Sequence, residues 1–130
     1  LQGRWRLTQD SCHPLTHLGT KPMIYELRVY HAMPGRMPDL LNRFDTITLK
    51  IWGRMGIRQA GFWTVLIGES NQDLYYLLAW DSLAEREEKW GKFMIDPEWA
   101  TERTKTEENG PLISGYSNSF LQPTAFSSIK

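Results

Sequence analysis

Ile24-Tyr25-Glu26-Leu27-Arg28-Val29-Tyr30-His31 (IYELRVYH) is the stretch whose reading decides the fold. Side chains on an extended strand alternate between two faces. One face then carries Tyr25, Leu27, Val29 and His31, and the other carries Ile24, Glu26, Arg28 and Tyr30. The first face is the one expected beneath a layer of helices. The second sets an acid, a base and a phenol in one row.

Working outward, the turn Met33-Pro34-Gly35 leads into the clearest helix, Met37 to Met55. Met37, Leu40, Leu41, Phe44, Ile47, Thr48, Ile51, Trp52 and Met55 recur every three or four residues, which is the period of one buried helix face. Gly61–Gly68 reads as a strand by composition, and Asn71-Gln72-Asp73 as a turn. Leu74–Trp80 (LYYLLAW) is apolar on both parities, so it is expected inside the sheet. Ser82 followed by Glu85 fits a capping box. The helix it opens carries Leu83, Trp90, Phe93 and Met94. Asp96-Pro97 restarts a short helix, with aspartate as N-cap and proline at the first position. A last strand covers roughly Leu112–Leu121.

The order β-α-β-β-α-β is the ferredoxin-like pattern: an α+β fold with a four-stranded antiparallel sheet and helices on one face. A single helix layer leaves the second sheet face bare. A homodimer joined through the face bearing Glu26 and Arg28 is therefore expected.

With 130 residues, the chain is the size of one domain. Residues 1–22 lack sustained periodicity and read as a loose extension, and the domain proper spans 23–130. Fifteen basic and fifteen acidic side chains balance, leaving no basic footprint for nucleic acid. No apolar run approaches the ~20 residues of a membrane span. One cysteine, Cys12, excludes an internal disulfide. Nothing demands an oxidising compartment, so a cytoplasmic location is expected. Cys12, His13 and His17 lie in the extension and are too few for a defined metal site. His31 is the only domain histidine that a haem or a general-base mechanism could use, and a structural role suits it better. No metal and no cofactor are expected. Gly53-Arg54-Met55-Gly56 ends a helix instead of starting one, so it is not a phosphate cradle.

Tyr25-Glu26-Leu27-Arg28-Val29-Tyr30 followed by Pro34-Gly35 resembles the opening of the NIPSNAP family. Leu77–Trp80 with Asp81-Ser82 and Glu85-Arg86, then Asp96-Pro97-Glu98-Trp99, then Asn118–Pro123, extend the resemblance in order over residue 23 to about 127. It implies a dimeric α/β barrel, in which two ferredoxin-like units close their sheets around shared cavities. That superfamily includes cofactor-free monooxygenases, isomerases and haem-handling proteins.

The chemistry candidates follow. Glu26 and Arg28 form either a polar cluster in an apolar cavity or a structural ion pair. In the first reading Arg28 holds a carboxylate or enolate oxygen, and Glu26 is a base or orients Arg28. Tyr30, Trp63, Tyr76, Trp80, Arg86 and Asn118 are the candidate ligand-binding residues. Trp63, Tyr76 and Trp80 serve as cleft walls, and Arg86 is drawn in by the resemblance. Two functions fit: a homodimer binding an apolar or aromatic small molecule in its cavity, with cofactor-independent oxygenation or isomerisation if it is an enzyme, and a non-catalytic binding or interaction module.

Overall fold

The structure, a computed structural model, describes residues 23–130. The expected loose extension, with Cys12, His13 and His17, lies outside the described residues. Strand β1 (Ile24–Ala32) leads to helix α1 (Met37–Arg43), a π-helical stretch (Phe44–Thr48) and helix α2 (Leu49–Met55). A hairpin of β2 (Arg58–Thr64) and β3 (Asp73–Trp80) follows, then α3 (Leu83–Met94), α4 (Pro97–Thr106) and β4 (Ile113–Leu121). The sheet order is β2-β3-β1-β4 and every pairing is antiparallel. This is the ferredoxin-like α+β arrangement, with β3 inside the sheet.

The local signals explain most of these bounds. Ser82 Oγ accepts from the Glu85 backbone N–H as an N-cap should, and the Glu85 carboxylate reaches back to the Asp81 N–H at 2.7 Å, one residue before the cap. Asp96 caps α4 by accepting from the Trp99 N–H at 2.9 Å. The run from Met37 to Met55 is continuous, but its middle widens: the Leu49 N–H bonds the Phe44 carbonyl, five residues back. Gly56 ends the run with φ of 76°, a left-handed conformation that glycine adopts without steric cost. The second strand is displaced from its expected place. It occupies Arg58–Thr64, and its pairing with β3 ends at Thr64↔Leu74. The apolar residues 65–67 are therefore not ladder residues, and Leu66 and Ile67 stand exposed.

The register also reverses the expected faces of β1. Directly paired residues share a face, and the pairs are Glu26↔Leu78, Arg28↔Tyr76 and Tyr30↔Leu74. Leu74, Tyr76, Leu78 and Trp80 are all buried with Leu40, Phe44, Ile51, Trp52, Trp90 and Phe93 of the helices. Glu26, Arg28 and Tyr30 thus lie beneath the helix layer. Tyr25, Leu27, Val29 and His31 share the opposite, open face with Tyr75, Leu77 and Ala79. The stronger apolar parity of β3 takes the helix side, and β1 follows by register. Hence the sheet face bearing Glu26 and Arg28 is not the one left for a second subunit. The stripe of α3 is also narrower than its sequence implies: Trp90 and Phe93 are buried, whereas Leu83 and Met94 are exposed.

Candidate functional site: a carboxylate shared by two arginines

Glu26 sits at the centre of the helix-covered face with no solvent exposure. Its Oε2 accepts from Arg28 Nη1 at 2.8 Å, Asn118 Nδ2 at 2.9 Å and Arg86 Nη2 at 3.2 Å. Its Oε1 accepts from Trp80 Nε1 at 3.1 Å and Arg86 Nε at 3.2 Å. Five donors saturate a carboxylate that burial alone would disfavour. Arg28 spends its remaining donors on phenols, with Nε on Tyr76 Oη at 2.7 Å and Nη2 on Tyr30 Oη at 3.3 Å. Its guanidinium also lies 4.5 Å from the Trp90 ring and 4.9 Å from the Tyr116 ring.

The fold brings these side chains together from four elements. Register on β4 sets Asn118 opposite Arg28 and Phe120 opposite Glu26. Trp80 is two residues beyond Leu78, the β3 partner of Glu26, and so on the same face. The Ser82 cap starts α3 where β3 ends, which turns Arg86, one turn later, toward the sheet. Trp90 follows Arg86 by four residues, on the same helix face. The Arg86 guanidinium lies 5.4 Å from the Trp90 ring and 5.5 Å from that of Phe120.

Protonation follows from these contacts. Burial pushes the Glu26 carboxyl up. Hydrogen bonds from Asn118, Arg86 and Arg28 outweigh it and hold the group below the usual carboxylate range. Burial likewise opposes charge on Arg28, and the Tyr76 and Tyr30 oxygens overcome it, so Arg28 is a permanent cation. Burial, then the neighbouring Tyr30, raise the Tyr76 phenol and keep it neutral. The cluster of Glu26, Arg28 and Arg86 therefore carries one positive charge in excess.

Part of the cluster reaches solvent. Arg28 is 3% exposed, but the Arg86 side chain is 25% exposed. Tyr116 and Phe120 are 56% and 46% exposed although they point to the helix side, because the helices stop short of β4. The partly exposed Arg86 thus lies between the ring of Trp90 on α3 and that of Phe120 on β4.

Of the residues singled out in the sequence, Glu26, Arg28, Tyr30, Tyr76, Trp80, Arg86 and Asn118 meet in this one network. Trp63 does not. It pairs with Tyr75 on the open face, half exposed, with its ring lying over Gly61. His31 is also on the open face, and its Nδ1 meets Asp73 Oδ1 at 2.7 Å. Sequence reasoning missed Tyr116 and Phe120, and it read Trp90 as part of a helix stripe or an interaction surface with Trp99, not as a neighbour of Arg28. The alternation Tyr116-Asn118-Phe120 and the four-residue step from Arg86 to Trp90 were the available signals.

Two concavities lie elsewhere. One of about 610 Å³ opens on the bare sheet face, among Leu27, Trp63, Leu66, Ile67, Leu77 and Leu121. The other, of about 10 Å³, lies inside the helix layer beside Trp52 and Trp99. Glu26 and Arg28 line neither. Among the described residues, no group of three or more His, Cys, Asp or Glu is placed to hold a metal ion, and no helix is long and apolar enough to cross a membrane.

Comparisons with known proteins place this geometry. A NIPSNAP family protein of Agrobacterium tumefaciens is 25% identical, covers 88% of this chain and 96% of its own, and superposes with a TM-score of 0.76. An uncharacterised NIPSNAP-like domain protein of Burkholderia xenovorans is 24% identical, with coverages of 83% and 90% and a TM-score of 0.73. A Streptomyces coelicolor monooxygenase, solved with nanaomycin D, shares the fold at 18% identity, 80% and 89% coverage and a TM-score of 0.54. Among curated proteins none matches the chain. The NIPSNAP family model matches residues 25–128, which spans β1 through β4 and every residue of the Glu26 network. The chain therefore belongs to the NIPSNAP family.

Proposed function

We propose that this chain is a homodimeric binding protein for a small molecule that carries an anionic oxygen on an apolar or aromatic frame. The ligand lies against Arg86, between α3 and β4. The observation that carries this reading is the excess cation: two guanidiniums converge on one carboxylate, and the more exposed of them, Arg86, lies between the buried Trp90 ring and the half-exposed Phe120 ring. A planar carboxylate or enolate can meet Arg86 while its frame packs on Tyr116 and Phe120. Asn118, already donating to Glu26, stands beside it on β4.

The saturation of Glu26 favours binding over base catalysis. An oxygenase or isomerase that draws a proton onto this carboxylate would have to break one of five hydrogen bonds and work against a lowered pKa. Glu26 is the group that orients Arg28 and Arg86. The homodimer rests on the open face, where Leu27, Val29, Tyr75 and Leu77 form an apolar surface beside the exposed Leu66 and Ile67.

Native mass spectrometry of freshly purified protein tests both parts. The expected result is a dimer that releases a small organic acid on denaturation. Titration of aromatic carboxylates, followed by tryptophan fluorescence, should then saturate in the native chain and weaken at least tenfold in Arg86→Met. A monomer at micromolar concentration would remove the dimer. A chain with no co-purified acid and no response to millimolar carboxylates would remove the ligand.

A further inference from the structure

The small cavity inside the helix layer is lined by Tyr30, Arg43, Phe44, Thr48, Trp52, Phe93 and Trp99. Its volume of about 10 Å³ is that of one water-sized sphere. Two of its lining residues hold buried polar atoms, Thr48 Oγ1 and Trp52 Nε1, and neither has a hydrogen-bond partner among the described residues. Both residues are 2% exposed. An indole N–H can only donate, and a hydroxyl can donate or accept. Buried groups of this kind are paired in nearly all native proteins, through ordered water where no protein group reaches them.

The threonine hydroxyl is not returned to its own helix. Helical threonines commonly return their hydroxyl to a carbonyl one turn earlier. Thr46 does so to Asn42 at 2.7 Å and Thr104 to Ala100 at 2.8 Å. Thr48 ends the π-helical stretch, where the Phe44 carbonyl is taken by the Leu49 N–H, and its hydroxyl makes no such bond. Arg43 lines the same space and bonds Thr106 and Glu107 through Nη1 alone.

We propose that this cavity is a binding site for a single long-lived water molecule, which accepts from Trp52 Nε1 and bonds Thr48 Oγ1. The water bridges the end of the widened turn to Trp52, one turn later in the same helical run, among the rings of Tyr30, Phe44, Phe93 and Trp99. A polar guest of this size suits the site, whereas an apolar one would leave both groups unpaired.

The test reads the wild-type protein first. In a nuclear Overhauser spectrum, the Trp52 indole proton, assigned by its loss in Trp52→Phe from among six indoles, should show a cross-peak to a water of long residence. Thr48→Val, which swaps the hydroxyl for a methyl of the same shape, should lower the melting temperature, and Thr48→Ser should retain most of it. A dry cavity predicts the opposite sign, since removing an unpaired buried hydroxyl without changing shape is neutral or stabilising. Absence of the cross-peak, or a Thr48→Val protein that melts at or above the native temperature, overturns the proposal.

Discussion

The two faces of the sheet solve opposite problems. The helix-covered face buries a carboxylate and a guanidinium and surrounds them with partners until no charge is left over except at Arg86. The open face carries almost no charge and is left with apolar side chains that no other described residue covers. A buried polar network is held inside the fold by its own donors, while an apolar surface calls for a second molecule. The lesson is that polarity along β1 does not mark the solvent side. The charged row faces inward, and the more apolar row faces out.

The largest expected effect breaks the inner face. Arg28→Met removes the shortest hydrogen bond to Glu26, which keeps Arg86 as its cation, and strips Tyr76 and Tyr30 of theirs, so it should destabilise the protein by about 3 kcal/mol in urea melts. Adding Glu26→Gln should recover much of that loss, since Arg86 can turn to water. No recovery would mean that the network is worth more as packing than as paired charge.

On the open face, Leu77→Glu should leave the monomer folded and weaken self-association at least a hundredfold, about 3 kcal/mol. Light scattering across a concentration series measures it. An unchanged dimer would place the subunit contact elsewhere.

Gly61 tests the margin between the faces. Its φ is 139° and an added Cβ would meet the Trp63 ring at 2.5 Å. Gly61→Ala should cost about 1–3 kcal/mol from backbone strain and the displaced ring. Adding Trp63→Ala should relieve only the contact with the ring.

The smallest effect is an acid dependence. The folded Glu26 carboxyl sits below its unfolded value of about 4.5. Its contribution is therefore complete above that pH and is lost as pH falls through the folded value. Asp96, held down by the Trp99 N–H, and Glu85, by Lys89 against the opposing effect of burial, add to the same window. Stability should decline below about pH 4.5, and less steeply in Glu26→Gln. Equal slopes would assign the decline to the other two groups.

Much of the fold was legible because its signals are local. The stripe from Met37 to Met55, the Ser82 and Asp96 caps and the apolar β3 each depend on a few neighbouring residues. The π-helical stretch was not legible, since a stripe spaced by threes and fours accommodates an added residue without losing its face. The end of β2 was misplaced because the apolar residues 65–67, two of them exposed, look like strand in composition. The facing of β1 depends on its register against Leu74–Trp80, a non-local fact. The same register explains why Glu26, Arg28 and Asn118 could be chosen as polar outliers on strands, while Tyr116 and Phe120 passed as ordinary aromatics. Trp63 shares an aromatic character with Tyr76, but its parity sends it to the other side.

Asn118 donates to a carboxylate 92 residues earlier in the chain. Trp80 and Arg86 come from 54 and 60 residues away. During synthesis, β1 emerges before the other described elements, and its acid must wait for every partner except Arg28. Contacts of such long sequence separation form late and slow folding. The arrival of β4 is then the step that seals the charged centre, and until it docks, the nascent domain carries an incompletely covered anion between sheet and helices.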